Sequence, residues 1–228
     1  MNKNPFSDLT RFERRLYLTS LAVITASFLF SGGGAYLNMT ASLIGVTALI
    51  FVAKGYVLGQ VLTVVFSVFY GVISFHFRYY GEMITYLGMS APIAAATAVV
   101  WMKHPFQSSR EVEVRPLNGT TLSLLLLCAV LVTALFYFIL KALGNASLLL
   151  STLSVTTSFL AAALTFLRSP AYALGYAAND LVLIALWIIA ARHDSSCLSM
   201  IACFAMFFFN DMYGFFNWQS MQKRQAAA

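Results

Sequence analysis

Apolar residues fall along this chain in runs separated by short polar or basic turns. A helix that crosses a bilayer needs about 20 predominantly apolar residues, somewhat fewer or more with tilt. Eight segments qualify: Leu16–Tyr36, Thr40–Ala53, Val57–Phe77, Met83–Met102, Thr121–Leu143, Ser147–Leu167, Tyr172–Ala191 and Leu198–Gln219. The second is the shortest, and the run Gly32-Gly33-Gly34 leaves its boundary with the first open by several residues. Basic residues before the first segment and small ones after it imitate a signal peptide. No A-x-A cleavage pattern follows and the rest of the chain is itself apolar, so the first segment is read as a helix.

Polar residues inside these runs keep to faces. The third segment carries Gln60, Thr63, Ser67, Tyr70 and Ser74 at steps of three and four, a single helical stripe. The sixth carries Ser147, Ser151, Ser154 and Ser158, a small-residue stripe that points to close helix packing. The seventh carries Tyr172, Tyr176, Asn179, Leu183 and Trp187 with Asp180 adjoining, and the eighth Met206, Asn210, Tyr213 and Asn217 with Asp211 beside them. The fifth is apolar nearly all round from Thr121 to Leu140, as expected of a lipid-facing linker. Trp101 and Trp218 sit near the expected interfaces, where an aromatic belt competes evenly with an interior role. Trp187 shares a face with Tyr176 and Asn179 and is read as functional.

The second to fourth segments resemble the sixth to eighth at an offset of about 116 residues. Tyr56-Val57-Leu58-Gly59 recurs as Tyr172-Ala173-Leu174-Gly175, the basic turns at Lys54 and Arg168 nearly coincide, and Trp101 pairs with Trp218. One helix between two three-helix units leaves them pointing the same way, a known transporter plan. The expected architecture is an all-α membrane protein of eight spans, an extra N-terminal helix before a 3+1+3 core. Its parts are residues 1–39 (basic N-terminus and extra helix), 40–105 (first repeat), 106–145 (cytoplasmic loop and linker helix) and 146–228 (second repeat and cytoplasmic C-terminus).

Composition agrees. Of 228 residues, 60% are hydrophobic and 10% charged, against roughly a quarter charged in soluble domains. The net charge of +6 fits nucleic acid or a membrane surface equally, so the placement of the charges decides. With the N-terminus inside, eight spans put Lys3, Arg11, Arg14, Arg15, Lys54, Lys103, Arg110, Arg115, Arg168, Lys223 and Arg224 in the cytoplasm. Only Arg78, Lys141 and Arg192 fall outside. That bias is the positive-inside pattern of a multi-pass inner-membrane protein with both termini cytoplasmic, and it removes nucleic acid as a partner. Cys128, Cys197 and Cys203 lack metal or disulfide spacing. Asn118-Gly119-Thr120 matches a glycosylation pattern on the wrong side and is read as chance.

Asp180 and Asp211 are the sharpest chemical signal. A buried carboxylate costs several kcal/mol unless paired or hydrated, and no basic residue lies at comparable depth in any segment. A watery cavity, a hydroxyl-bearing ligand or a proton must help. Asn and Gln offer both donor and acceptor, and aromatic faces attract flat or cationic rings. A pocket of Gln60, Tyr70, Tyr176, Asn179, Asp180, Trp187, Asn210, Asp211, Tyr213 and Asn217 therefore suits a polar ring joined to a sugar. His76, His104 and His193 form no ligand pair, and no hydrolase, zincin or phosphate-loop motif occurs. A carrier without metal or cofactor is expected; a membrane enzyme using the two aspartates, or a scaffold with interlocked faces and no cavity, are the alternatives.

Over residues 40–220 the chain resembles the PnuC-type vitamin transporters. The resemblance rests on the 3+1+3 layout and on Tyr56-Val57-Leu58-Gly59-Gln60, Ala178-Asn179-Asp180 and Asn210-Asp211-Met212-Tyr213-Gly214-Phe215-Phe216-Asn217-Trp218, the last being the most specific. The fourth segment, up to Trp101, lacks the corresponding Asn and Tyr. The resemblance implies import of nicotinamide riboside by facilitated diffusion with alternating access, trapping by a cytoplasmic vitamin kinase, and a core related to SWEET-type sugar carriers. Thiamine or riboflavin are the alternative loads, a sugar less so. The bilayer, the solute, the kinase and further copies of the chain, a trimer among the forms, are the implied partners. Asn179, Asn210 and Gln60 would bond amide and ribose, with Trp187 and Tyr213 on the ring.

Overall fold

The computed structural model describes residues 4–31, 36–145 and 147–228, and every long element among them is a helix. In chain order these are α1 (Arg11–Phe30), α2 (Tyr36–Ala53), α3 (Val57–His76), α4 (Tyr80–Lys103), α5 (Gly119–Ala142), α6 (Leu148–Phe166), α7 (Tyr172–Ala191) and α8 (Leu198–Ala226). The glycine run between the first two segments, and Lys3, lie outside the described residues. Seven of the helices are long and apolar enough to cross a membrane. The exception, α1, begins five residues before its apolar run, and its first turns hold Arg11, Glu13, Arg14 and Arg15. Thr10 starts it with a reciprocal capping box to Glu13.

Tyr36, expected to end the first segment, instead opens α2, which starts before Thr40, and two further boundaries move. The last helix continues past Gln219 to Ala226, carrying Lys223 and Arg224 out on its final turns. The fourth begins at Tyr80 rather than Met83, which brings Glu82 inside it. Between Thr85 and Ser90 this helix widens into a π-turn. Pro92 follows, and in a regular helix it would leave the Gly88 carbonyl without its donor; one wide turn changes the register just before it. Asn118, read as part of a chance glycosylation match, serves the fold instead. Its carboxamide oxygen accepts from the Thr121 amide at 2.7 Å and caps α5.

The bundle is built around α2, α3, α7 and α8. Helix α2 packs on α3 and α8, α7 on α6 and α8, α3 on α4, and α4 on α6. Helix α1 covers the backs of α8 and α2, while α5 rests mainly on α6 and leaves most of its apolar surface uncovered by the rest of the chain. Two glycines set the closest crossings. A Cβ at Gly59 would fall 2.4 Å from the Val52 amide nitrogen of α2, and one at Gly175 would fall 2.9 Å from Ala161 Cα of α6. Only glycine lets those backbones approach so far.

The basic turns gather at one end. There Lys54 pairs with Glu13, Arg110 with Asp8, Arg168 with Glu113, and Arg224 with Glu111. The N-terminal segment, the α2–α3 turn, the 104–118 connection, the α6–α7 turn and the last turns of α8 thus share one face of the bundle. Glu13 is enclosed, taking bonds from the Thr10 amide, both contacts of Lys54 Nζ and the Tyr213 hydroxyl. Burial alone would raise its carboxyl; the Thr10, Tyr213 and Lys54 donors outweigh it and hold the group below its ordinary value. Nearby, burial and the Asp8 charge push the Tyr56 phenol up to about 12, keeping it a neutral donor to Asp8.

Candidate functional site

Halfway along the bundle the central helices stand apart around a cavity. Its walls are Gly45, Ala48, Leu49 and Val52 of α2, Gln60, Thr63 and Phe66 of α3, Tyr86 and Ser90 of α4, Tyr176, Asn179 and Asp180 of α7, and Phe207 and Asp211 of α8. The centre of a water molecule has about 50 Å³ to move in there, several times the ~10–15 Å³ that holds one water. That room holds water; a ring joined to a sugar needs the ~300 Å³ or more of an ordinary ligand site, so the walls must move apart to admit one.

Small α2 residues open the cavity. Gly45 lies against Phe207 and Phe66, where a Cβ would sit 2.2 Å from the Phe207 ring. Gln60 reaches in from the first turns of α3 and makes no side-chain hydrogen bond to a described residue. Asn179 is held from behind by the Ser154 and Thr157 hydroxyls of α6, at 3.1 and 2.8 Å. Asp180 and Asp211 face each other across α7 and α8 within hydrogen-bonding reach. A hydrogen bond between two carboxyl groups needs a proton between them. Asp180 Oδ2 is left without a partner among the described residues.

Aromatic layers close both ends. Toward the Arg78 and Arg192 end, Trp187 Nε1 donates to the Tyr70 hydroxyl at 2.9 Å. Phe77 and Tyr79 stand edge-on to the same indole, and the Tyr79 hydroxyl donates to the Leu186 carbonyl. Tyr70 in turn meets Tyr86 on the cavity wall at 4.4 Å between centroids. Toward the ion-paired end, Trp101 and Trp218 lie 5.4 Å apart with Tyr172 against Trp218. Both indoles are fully buried. Trp218 Nε1 donates to the Val52 carbonyl and Trp101 Nε1 to the Thr165 carbonyl. Of the two readings open for Trp101 and Trp218, the interior one holds: each satisfies its N–H inside the protein.

Of the ten residues expected to bind solute, Gln60, Tyr176, Asn179, Asp180 and Asp211 line the cavity. Tyr70 and Trp187 form its roof, one layer away. Asn210, Tyr213 and Asn217 point elsewhere. Asn210 donates to Ser20 of α1 and to its own helix at Met206, Tyr213 donates to Glu13, and Asn217 donates to the Ala53 carbonyl. Periodicity places these three on one stripe of α8, but α1 and the end of α2 cover that stripe. The residues not foreseen are Phe66, Tyr86 and Phe207 on the walls and Glu82 behind them. An acid at the edge of an otherwise apolar run was the available signal for Glu82.

The sequence model of the "Nicotinamide mononucleotide transporter" family matches residues 35–220, which covers the whole cavity and both aromatic layers. The chain belongs to this family. It is 27% identical over 227 residues to a "Nicotinamide riboside transporter PnuC" of Neisseria mucosa, with 97% of this chain and 86% of that protein covered. It is also similar to the solved structure titled "Crystal structure of the Vitamin B3 transporter PnuC". That similarity has a TM-score of 0.84 and 25% identity over 95% of this chain and 94% of that one. These relatives are transporters rather than enzymes, so the membrane-enzyme alternative has no support among them. PnuC-type membership and multi-pass membrane embedding, both expected from the sequence, hold.

Proposed function

We propose that the chain carries nicotinamide riboside across the bacterial inner membrane by facilitated diffusion. The observation that carries this reading is a cavity between the two aromatic layers, walled mainly by apolar and aromatic side chains with Gln60, Asn179, Asp180 and Asp211 set among them, in a chain of the nicotinamide transporter family. Nicotinamide riboside joins a cationic, carboxamide-bearing ring to a ribose. Phe66, Tyr86, Tyr176 and Phe207 supply ring faces suited to a flat cation. Gln60 and Asn179 supply paired donors and acceptors for carboxamide and ribose, and the Asp180–Asp211 pair supplies negative charge. Tyr70 and Trp187 act as roof, so they contact solute as it enters.

Alternating access fits a cavity sealed by one aromatic layer at each end. The two parallel three-helix repeats, α2–α4 and α6–α8, belong to the same proposal. Gly59 and Gly175, 116 positions apart, each lie against the first helix of their own unit, on Val52 of α2 and on Ala161 of α6. Trp101 of the first unit bonds near the end of α6, while Trp218 of the second bonds near the end of α2. That exchange is what a two-fold relation along the membrane normal would produce. The ion-paired end, with most of the basic residues, is the cytoplasmic one, where a kinase traps the solute by phosphorylation.

The test is thermal unfolding of the purified protein against a panel of nicotinamide riboside, thiamine, riboflavin and a hexose. A ligand at 100 times its Kd stabilises by about 2.7 kcal/mol. Stabilisation by nicotinamide riboside alone supports the reading. Stabilisation by another panel member with none from nicotinamide riboside overturns it.

A further inference from the structure

Behind the cavity wall lies a carboxyl group that solute binding does not employ. Glu82 of α4 is fully buried, and its Oε1 has no partner among the described residues. Its Oε2 lies 2.9 Å from Ser154 Oγ of α6, which lies 3.1 Å from the Asn179 carboxamide. Thr157 Oγ1 is 2.8 Å from the same carboxamide atom and 3.0 Å from the Leu153 carbonyl. Glu82, Ser154 and Asn179 thus form a chain that ends in the cavity. The titratable groups that face Glu82 are Tyr70 of α3, Tyr79 before α4 and Tyr86 of α4 itself. Asp180 of α7 reaches the same Tyr86. Around it α6 presents the Ser154 hydroxyl, and Ser151 of α6 and Leu140 of α5 lie against neighbouring Gly81.

Ser154 has one hydroxyl proton and stands between two groups, so its direction decides theirs. When Glu82 carries a proton it donates to Ser154, which is then free to donate to the Asn179 carbonyl oxygen. Thr157 donates to that oxygen too, and the amide –NH2 is turned to the cavity and Tyr86. When Glu82 is ionised it only accepts, and Ser154 must donate to it. The Asn179 carboxamide then turns over: its –NH2 donates to Ser154 and Thr157, Thr157 donates to Leu153, and the carbonyl oxygen faces the cavity. Both arrangements leave Ser154, Thr157 and the buried end of Asn179 fully bonded. Mixed arrangements set two lone pairs against each other or strand the Ser154 proton, at the cost of a buried hydrogen bond. The two ends of a carboxamide are equal in shape, so the pocket accepts either.

We infer that Glu82 is a positioning residue which, through the single proton of Ser154, decides whether Asn179 offers the cavity a donor or an acceptor. This makes it a determinant of which solutes the carrier accepts, a consequence that rests on the carrier reading. The relay itself is testable without solute. Infrared difference spectra between acid and alkaline buffer are recorded on protein in lipid with isotope-labelled asparagine side chains. A labelled amide band that disappears in Asn179→Ala is expected to respond to pH. It is expected to stop responding in Glu82→Gln, whose amide donates to Ser154 as the protonated acid does, and in Ser154→Ala, which cuts the relay and keeps the acid. Glu13→Gln, remote from the cavity, is expected to keep the response. An Asn179 band that still responds in either relay variant, or never responds in the native chain, overturns the inference.

Solute affinity gives the second arm. Nicotinamide riboside affinity is expected to change between the two buffers by about five- to tenfold through the relay, the effect of one hydrogen bond gained or lost, on top of what the Asp180–Asp211 pair contributes, and Glu82→Gln is expected to remove the relay's share alone. A pH dependence in that variant equal to that of the native chain overturns the inference. A relay that behaves as described in a protein that binds no nicotinamide riboside overturns the cargo instead, so the two failures are distinct.

Discussion

The two aromatic layers that close the cavity are held in different ways. At the ion-paired end, Trp101 and Trp218 anchor to backbone carbonyls of helix ends, each on a helix from the other half of the bundle. Four ion pairs surround that end. At the opposite end, Trp187 and Tyr70 bond side chain to side chain, Tyr79 alone anchors to a backbone carbonyl, that of Leu186, and no ion pair is present among the described residues. A backbone carbonyl moves only if its helix moves, whereas two side chains part by changing rotamers. The difference teaches that this conformation is locked at the basic end and latched at the other.

The comparison breaks most visibly when the lock is removed. Trp218→Ala is expected to destabilise by about 3–5 kcal/mol, as for large buried aromatics elsewhere. Lys54→Met, which strands the Glu13 carboxylate, is expected to cost a similar amount. Unfolding in detergent checks both. Gly59→Val drives side-chain atoms into the α2 backbone and is expected to lose about 1–3 kcal/mol. Gly88→Ala meets nothing closer than 3.8 Å and is expected to be neutral.

Tyr70→Phe removes one side-chain hydrogen bond, worth about 1 kcal/mol. Its informative readout is hydrogen exchange: the ends of α3 and α7 nearest Arg78 and Arg192 are expected to open faster, with the Trp218 end unchanged. Equal acceleration at both ends would contradict the distinction between lock and latch. The smallest effect is that of acid. Because the folded Glu13 carboxyl lies below its ordinary value of 4.5, its stabilisation is complete above that value and is lost as pH falls through the folded one. Glu13→Gln is expected to flatten that part of the stability–pH profile.

Much of the fold was legible because lipid makes length and polarity decisive. The seventh segment, Tyr172–Ala191, coincides with α7. The all-apolar fifth is the spanning helix least covered by the rest of the chain. The cavity was half legible. Stripes on α3 and α7 led to Gln60, Tyr176 and Asn179, because those helices have one polar face and it points inward. Helix α8 has two polar neighbours, the cavity and α1, and periodicity cannot say which one a given Asn meets. Asn210 and Tyr213 went to α1, Asp211 to the cavity. Phe66 and Phe207 carry no polar signal, and an apolar aromatic on a membrane helix reads the same toward lipid as toward a ligand. Glu82 stayed hidden because the π-turn and an earlier helix start pulled an apparent loop residue into the bundle.

Uptake of radiolabelled nicotinamide riboside into liposomes holding the purified protein tests the central claim most directly. Flux is expected to be saturable, to return the same molecule, and to fall at least about tenfold in Gln60→Ala and Asn179→Ala, which each remove cavity-facing hydrogen bonds worth over 1 kcal/mol together with their packing. Asn217→Ala, whose carboxamide bonds the Ala53 carbonyl and does not line the cavity, is expected to keep it wherever the protein remains folded. Flux that survives loss of Gln60 and Asn179 but depends on Asn217, or no saturable flux at all, would contradict the account.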